Sequence, residues 1–76
     1  MERFLILIEK GASNYSAYAP DLPGCIATGK TLEEVKANMR QALKMHIQGM
    51  IEDHEPLPAH QTLADYLDIP VPDSAA

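Results

Sequence analysis

The groups in this chain that could attack a substrate, move a proton or hold a metal are one cysteine, three histidines and a scatter of carboxylates. Cys25 has no base or cation beside it in sequence to hold it as a thiolate, so it reads as a small, inert core residue. His46, His54 and His60 are irregularly spaced, and with one cysteine they do not give the ligand pattern of a closed zinc site. His46, beside Ile47, is expected at a boundary or interface, and His54 at a helix end where an imidazolium meets the negative pole of the dipole. A two-metal nuclease needs acids converging from several strands, and the strand regions offer only Glu2, Glu9 and Asp21, all near ends or turns. The four glycines are not spaced as a phosphate-binding loop or a dinucleotide fingerprint. No catalytic residue, metal or cofactor is therefore expected. A degenerate metal-dependent nuclease built on Asp21, Glu2 or Glu9 is the remaining enzymatic alternative.

Charge is more informative than any motif. The net charge of −5 argues against general phosphate binding as the main role. Up to Lys44 the chain has six basic and five acidic residues, 6 − 5 = +1; from Met45 onward it has six acids and no Lys or Arg, −6. An acidic C-terminal third of this kind suits a basic partner or simply aids solubility. Against that average, Lys36, Arg40 and Lys44 stand four apart and form a basic ridge on one helix face. No aromatic residues interleave with them, so stacking on single-stranded nucleic acid is not expected.

The elements that must position these groups are few. Residues 1–10 read as a first strand whose unbroken run Phe4-Leu5-Ile6-Leu7-Ile8 asks for burial on both faces. Gly11 to Asn14 is turn chemistry, Tyr15–Ala19 a second strand, and Cys25–Thr28 a short third one after the proline-rich loop. Thr31 with Glu34 three residues on is a capping box. Leu32, Val35, Met39, Leu43, Ile47 and Met50 then recur at helical intervals to about Ile51. Thr62 and Asp65 suggest a second cap, with Leu63, Tyr66 and Leu67 on a short helical turn. The alternating prolines of Ile69-Pro70-Val71-Pro72 exclude a central strand.

The expected fold is thus α+β, a three-stranded antiparallel sheet in β-β-β-α order with one long helix on one face and a short C-terminal helical turn. Residues 1–58 make the domain, and residues 59–76 an acidic segment ending in disorder at 73–76. A chain of 76 residues buries too little surface to be robust alone, and it has neither disulfides nor a metal site to help. Together with the doubly apolar first strand, this predicts a homo-oligomer, a dimer or tetramer, with Phe4, Ile6 and Ile8 at its interface. No apolar run approaches the roughly 18 residues that span a bilayer, and no signal peptide is legible, so a cytoplasmic location is expected.

The stretch Tyr15-Ser-Ala-Tyr-Ala-Pro-Asp-Leu-Pro-Gly-Cys-Ile-Ala-Thr-Gly-Lys-Thr-Leu-Glu-Glu34 closely resembles the signature of the HicB-like antitoxins. Ala37, Asn38, Met39 and Ala42 along the helix extend the likeness, as does the acidic turn Glu52-Asp53-His54-Glu55-Pro56-Leu57-Pro58, so that it covers about residues 3–58. The resemblance implies a partial RNase H-like fold, often with a fourth strand, and a non-catalytic domain that binds HicA, a small basic mRNA-cleaving toxin, and blocks its active site. The motif residues Asp21, Leu22, Pro23, Gly24 and Cys25 are structural in this reading; turn chemistry itself expects a positive φ at Gly24 and loop amides on Asp21. Toxin contact is expected from Glu52, Asp53 and Glu55, with Leu57, Leu63 and Tyr66 as apolar anchors. Many family members continue into a DNA-binding domain; with the sequence stopping at Ala76, no direct DNA binding is expected. A stand-alone, self-assembling module without a toxin is the alternative.

Overall fold

The computed structural model describes residues 1–73. Three strands precede one long helix: β1 Leu7–Lys10, β2 Tyr15–Tyr18, β3 Ile26–Gly29 and α1 Leu32–Glu52. The sheet order is β1-β2-β3 and both pairings are antiparallel. The expected α+β architecture is therefore the observed one.

The register decides what each face carries. Ile8, Ala17 and Ala27 lie opposite one another on the face under the helix. Small residues there, with Gly29 at the end of β3, let α1 sit close against β2 and β3. The buried core is Ala17, Ala19, Leu22, Cys25, Val35 and Met39. The other face carries the row Leu7, Tyr18 and Ile26, with Leu7 half-buried, Tyr18 exposed and Ile26 68% exposed.

The first strand is shorter than its apolar run. Continuing the register, the next residue whose amide would face β1 is Pro20, opposite Leu5, and it has none to give; the Ala19 amide between them serves the β3 side, donating to the Cys25 carbonyl (3.2 Å). The ladder therefore opens at Leu7, and Phe4 to Ile8 are half-buried rather than buried. Within that run Phe4, Ile6 and Ile8 pack towards the core on the helix side.

The loop between β2 and β3 consists of two proline-led turns. The Leu22 amide donates to Ala19 (3.0 Å), and the Cys25 amide donates to Leu22 (3.1 Å). In the second turn Pro23 and Gly24 hold the central positions, and Gly24 has φ 84°, as a type II turn requires. The expectation that Asp21 serves loop amides is corrected: its Oδ1 accepts the Thr62 hydroxyl at 2.8 Å, tying the loop to a residue far along the chain.

The helix starts where the sequence places it. The Thr31 Oγ1 accepts the Glu34 amide (3.0 Å), while Glu34 Oε1 reaches past the cap to the Lys30 amide (3.0 Å). Thr31→Ala is expected to cost about 0.5–2 kcal/mol of stability, read as a lower urea midpoint at unchanged slope. At the other end the His54 amide donates to Ile51 (3.1 Å) and the Glu55 amide to Met50 (2.8 Å), with His54 at φ 58°. This is a Schellman stop with histidine where glycine is usual, so His54 is set by backbone geometry more than by its charge. At 1.5 Å per residue α1 is about 31 Å long, whereas a four-residue strand covers about 13 Å. The helix outruns the sheet. Val35 and Met39 are fully buried over the strands, while Leu43, Ile47 and Met50 are half-buried beyond them.

One expected element is absent. Residues 55–72 carry no helix, strand, turn or bend, so the short C-terminal helical turn does not form. Its would-be cap is otherwise engaged, the Thr62 hydroxyl on Asp21 and the Asp65 carboxylate on the Tyr66 amide (2.7 Å). Leu63, Tyr66 and Leu67 also gain no burial in their own chain to offset the cost of a helical nucleus. No fourth strand is present among the described residues. Of the stretch expected to be disordered, residues 74–76 lie outside the described ones.

Candidate protein-binding surfaces

The residues singled out for chemistry are not brought together. Glu2 lies 2.7 Å from the His60 ring, Asp21 holds Thr62, and Glu9 is exposed on β1. Among the described residues no three His, Cys, Asp or Glu side chains gather in a way that could hold a metal ion. Cys25 is buried in the core, and burial raises its thiol pKa above the ordinary value. The thiolate form is disfavoured, so the native protein should resist a thiol reagent such as DTNB at pH 8 and react fully once unfolded in urea. Rapid labelling of the native chain would show that the core opens locally.

What the fold presents instead is surface. Glu52, Asp53 and Glu55 cluster at the end of α1, exposed, with Leu57 just beyond them. No base occupies the last helical turn. Acids there face the negative end of the helix dipole, which is unfavourable for the helix itself. Asp65, Asp68 and Asp73 continue the acidic character along the extended tail. On that tail Leu63 is 92% and Tyr66 95% exposed, values that leave both side chains free of their own chain.

The tail is nevertheless anchored where it leaves the body. His60 Nε2 meets Glu2 Oε2, an ion pair when the imidazole is protonated, and the His60 ring packs on Phe4 at 4.9 Å between centroids. Thr62 on Asp21 is the second tie. Nothing in the sequence signals these contacts, because the partners are far apart along the chain. The basic ridge is likewise placed by the fold. Lys36, Arg40 and Lys44, with Arg3, rim an open groove of about 700 Å³ between the start of the chain and α1. Of the expected interface residues, Phe4 and Ile6 line this groove, while Ile8 packs against the core.

One long helix laid on a three-stranded antiparallel sheet, with an acidic apolar tail, defines a small α+β domain whose distinctive groups are surface groups. The chain belongs to the HicB-like antitoxins of bacterial toxin–antitoxin systems, whose family model matches residues 4–73. It is 42% identical over 65 residues to an uncharacterized 14.9 kDa protein from the rep-hol intergenic region of Haemophilus phage HP1, covering 86% of this chain and 49% of that one. The chain thus spans about half the length of that phage relative. A UPF0150 protein of Synechocystis is 33% identical over 67 residues, 87% of this chain and 85% of the relative. In three dimensions the chain resembles one in the HicA3 and HicB3 toxin-antitoxin complex, with a TM-score of 0.59 and 29% identity over 72% of this chain and 67% of that one. No helix among the described residues is long and apolar enough to cross a membrane.

Proposed function

We propose that this protein is a non-catalytic antitoxin that binds a small basic mRNA-cleaving toxin of the HicA type in the cytoplasm and neutralises it by covering its active site. The observation that carries this reading is membership of the HicB-like antitoxin family, supported by the likeness to a chain of a toxin–antitoxin complex. The charge split gives the physical route. An acidic surface formed by Glu52, Asp53 and Glu55 attracts a cationic partner, and exposed Leu57, Leu63 and Tyr66 are free to be desolvated against it. The acids oppose the helix dipole, so the helix is not their reason for being there.

The chain acts as a homo-oligomer in this reading, since one helix covers only one face of the sheet. Tyr18 and Ile26, exposed on the sheet face away from the helix, also support a second reading, a self-assembling module that needs no toxin. Co-expression separates the two. A HicA-type toxin that arrests growth should be relieved by this chain and should copurify with it. Arrest without relief, and without copurification, would leave the self-assembling module.

A further inference from the structure

The groove beside the helix and the tail beyond Thr62 are each incomplete, and they complement one another. The groove arises because α1 packs on β2 and β3 and not on β1. Its floor is apolar, made by Phe4, Ile6, Met39, Leu43 and Ile47. Its charged lining is mainly basic, Arg3, Lys36, Arg40 and Lys44 against one acid, Glu2, which is taken by His60. Among the described residues the ion pair is that of His60 with Glu2, and none of these four bases lies within ion-pair distance of an acid.

The tail has the opposite character. Leu67, Ile69 and Val71 are 84%, 69% and 67% exposed. Seated as an extended strand, where residues two apart face the same way, these three would form one apolar face with Asp65 before it. Tyr66 and Asp68 would then fall on the other face. The lengths agree as well. Leu67 to Val71 spans about 13 Å at 3.3 Å per residue, and Met39 to Ile47 spans about 12 Å along the helix.

We propose that the tail of one copy lies in the groove of a second copy, Leu67, Ile69 and Val71 on the apolar floor and Asp65 at the basic rim, with the two tails exchanged about a twofold axis. The occupant is a second copy because the tail's apolar residues, exposed in their own chain, are not seated in that chain's groove. Glu2 and Asp21 hold it at His60 and Thr62. From there it runs on without a turn or bend, in a molecule 55 Å long in its greatest extent. Pro70 and Pro72 suit the exchange. They donate no backbone hydrogen bond, which a segment seated by side chains in a groove does not need, and they stiffen it before binding. Tyr66 and Asp68 stay outward in this arrangement, so the exchange is compatible with toxin binding. It rests only on the assembly half of the function proposed above.

The test uses the full chain without toxin. Leu67→Asp with Ile69→Asp changes two exposed tail residues, so the fold, followed by circular dichroism, should survive while the dimer dissociation constant in sedimentation rises at least about a hundredfold. Raising salt should weaken the wild-type dimer in the same direction. A second pair of variants, Ile47→Cys and Ile69→Cys, is made separately and mixed under oxidation, where a disulfide-linked heterodimer is expected. A monomeric wild-type chain would overturn the exchange, as would a double Asp variant that stays as dimeric as wild type; the latter leaves self-assembly through the bare sheet face standing. With both cysteines in one chain, a bond that closes only within the monomer would overturn it too.

Discussion

Gly29→Ala is expected to cost about 2–3 kcal/mol of stability, a large share of what a domain of this size has. A Cβ at this position would lie 2.5 Å from the Val35 amide nitrogen and 2.8 Å from its Cα. Both are backbone atoms of the first helical turn, so no side-chain rotation relieves the clash. The start of α1 would have to lift from the end of β3, loosening Val35 and Met39, the two fully buried residues that the helix contributes to the core. The Asn38 side-chain amide, which donates to the Thr28 carbonyl at 2.8 Å, would be pulled away with it. Urea denaturation reads the change. An unaltered midpoint would mean that the helix sits farther from the sheet than described.

Neutralising the acids at the helix end is expected to give two opposite effects. In Glu52→Gln/Asp53→Asn/Glu55→Gln the stop of α1 should persist, because the bonds that close it are backbone bonds from Asp53, His54 and Glu55. Removing negative charge from the negative pole of the helix should stabilise the chain by up to about 1 kcal/mol. Association with a basic toxin should nevertheless slow by roughly tenfold at low salt, with the dissociation rate changed less. A surface kept only for solubility would show the first effect without the second. Stopped-flow association at two salt concentrations, paired with a thermal melt, distinguishes them.

The contrast between what was and was not legible in the sequence follows the range of the interactions. The capping box at Thr31, the stripe of Val35 and Met39, and the positive φ of Gly24 are written in a few neighbouring residues, and each holds in the structure. Local chemistry also misled at Thr62 and Asp65. Their spacing suits a cap, yet Thr62 is taken by Asp21 and the apolar residues behind it have nothing to pack on. The short β1 follows from a proline on the neighbouring strand rather than from its own apolar run.

Gly29 shows the same limit from the other side. In sequence it is a residue that turns the chain towards the helix, and only the packing of α1 reveals that no side chain fits. The basic ridge was legible as a ridge, whereas its place beside Phe4 and Ile6 needed the fold. Of the acidic surface, the sequence supplied the residues, and the role proposed for them rests on the charge split together with the family. The structure adds that three acids stand against the helix dipole and that Leu63 and Tyr66 are bare.

The central claim is that this chain neutralises a toxin by binding it. The most direct measurement titrates the purified protein into a HicA-type toxin from the same genome while RNA cleavage is followed. Cleavage should fall in proportion to added chain and end near equivalence, with a complex seen by size-exclusion chromatography and the end point shifted upward for the triple neutral variant at low protein concentration. Undiminished cleavage at a large excess of chain, with the two proteins eluting separately, would contradict the account.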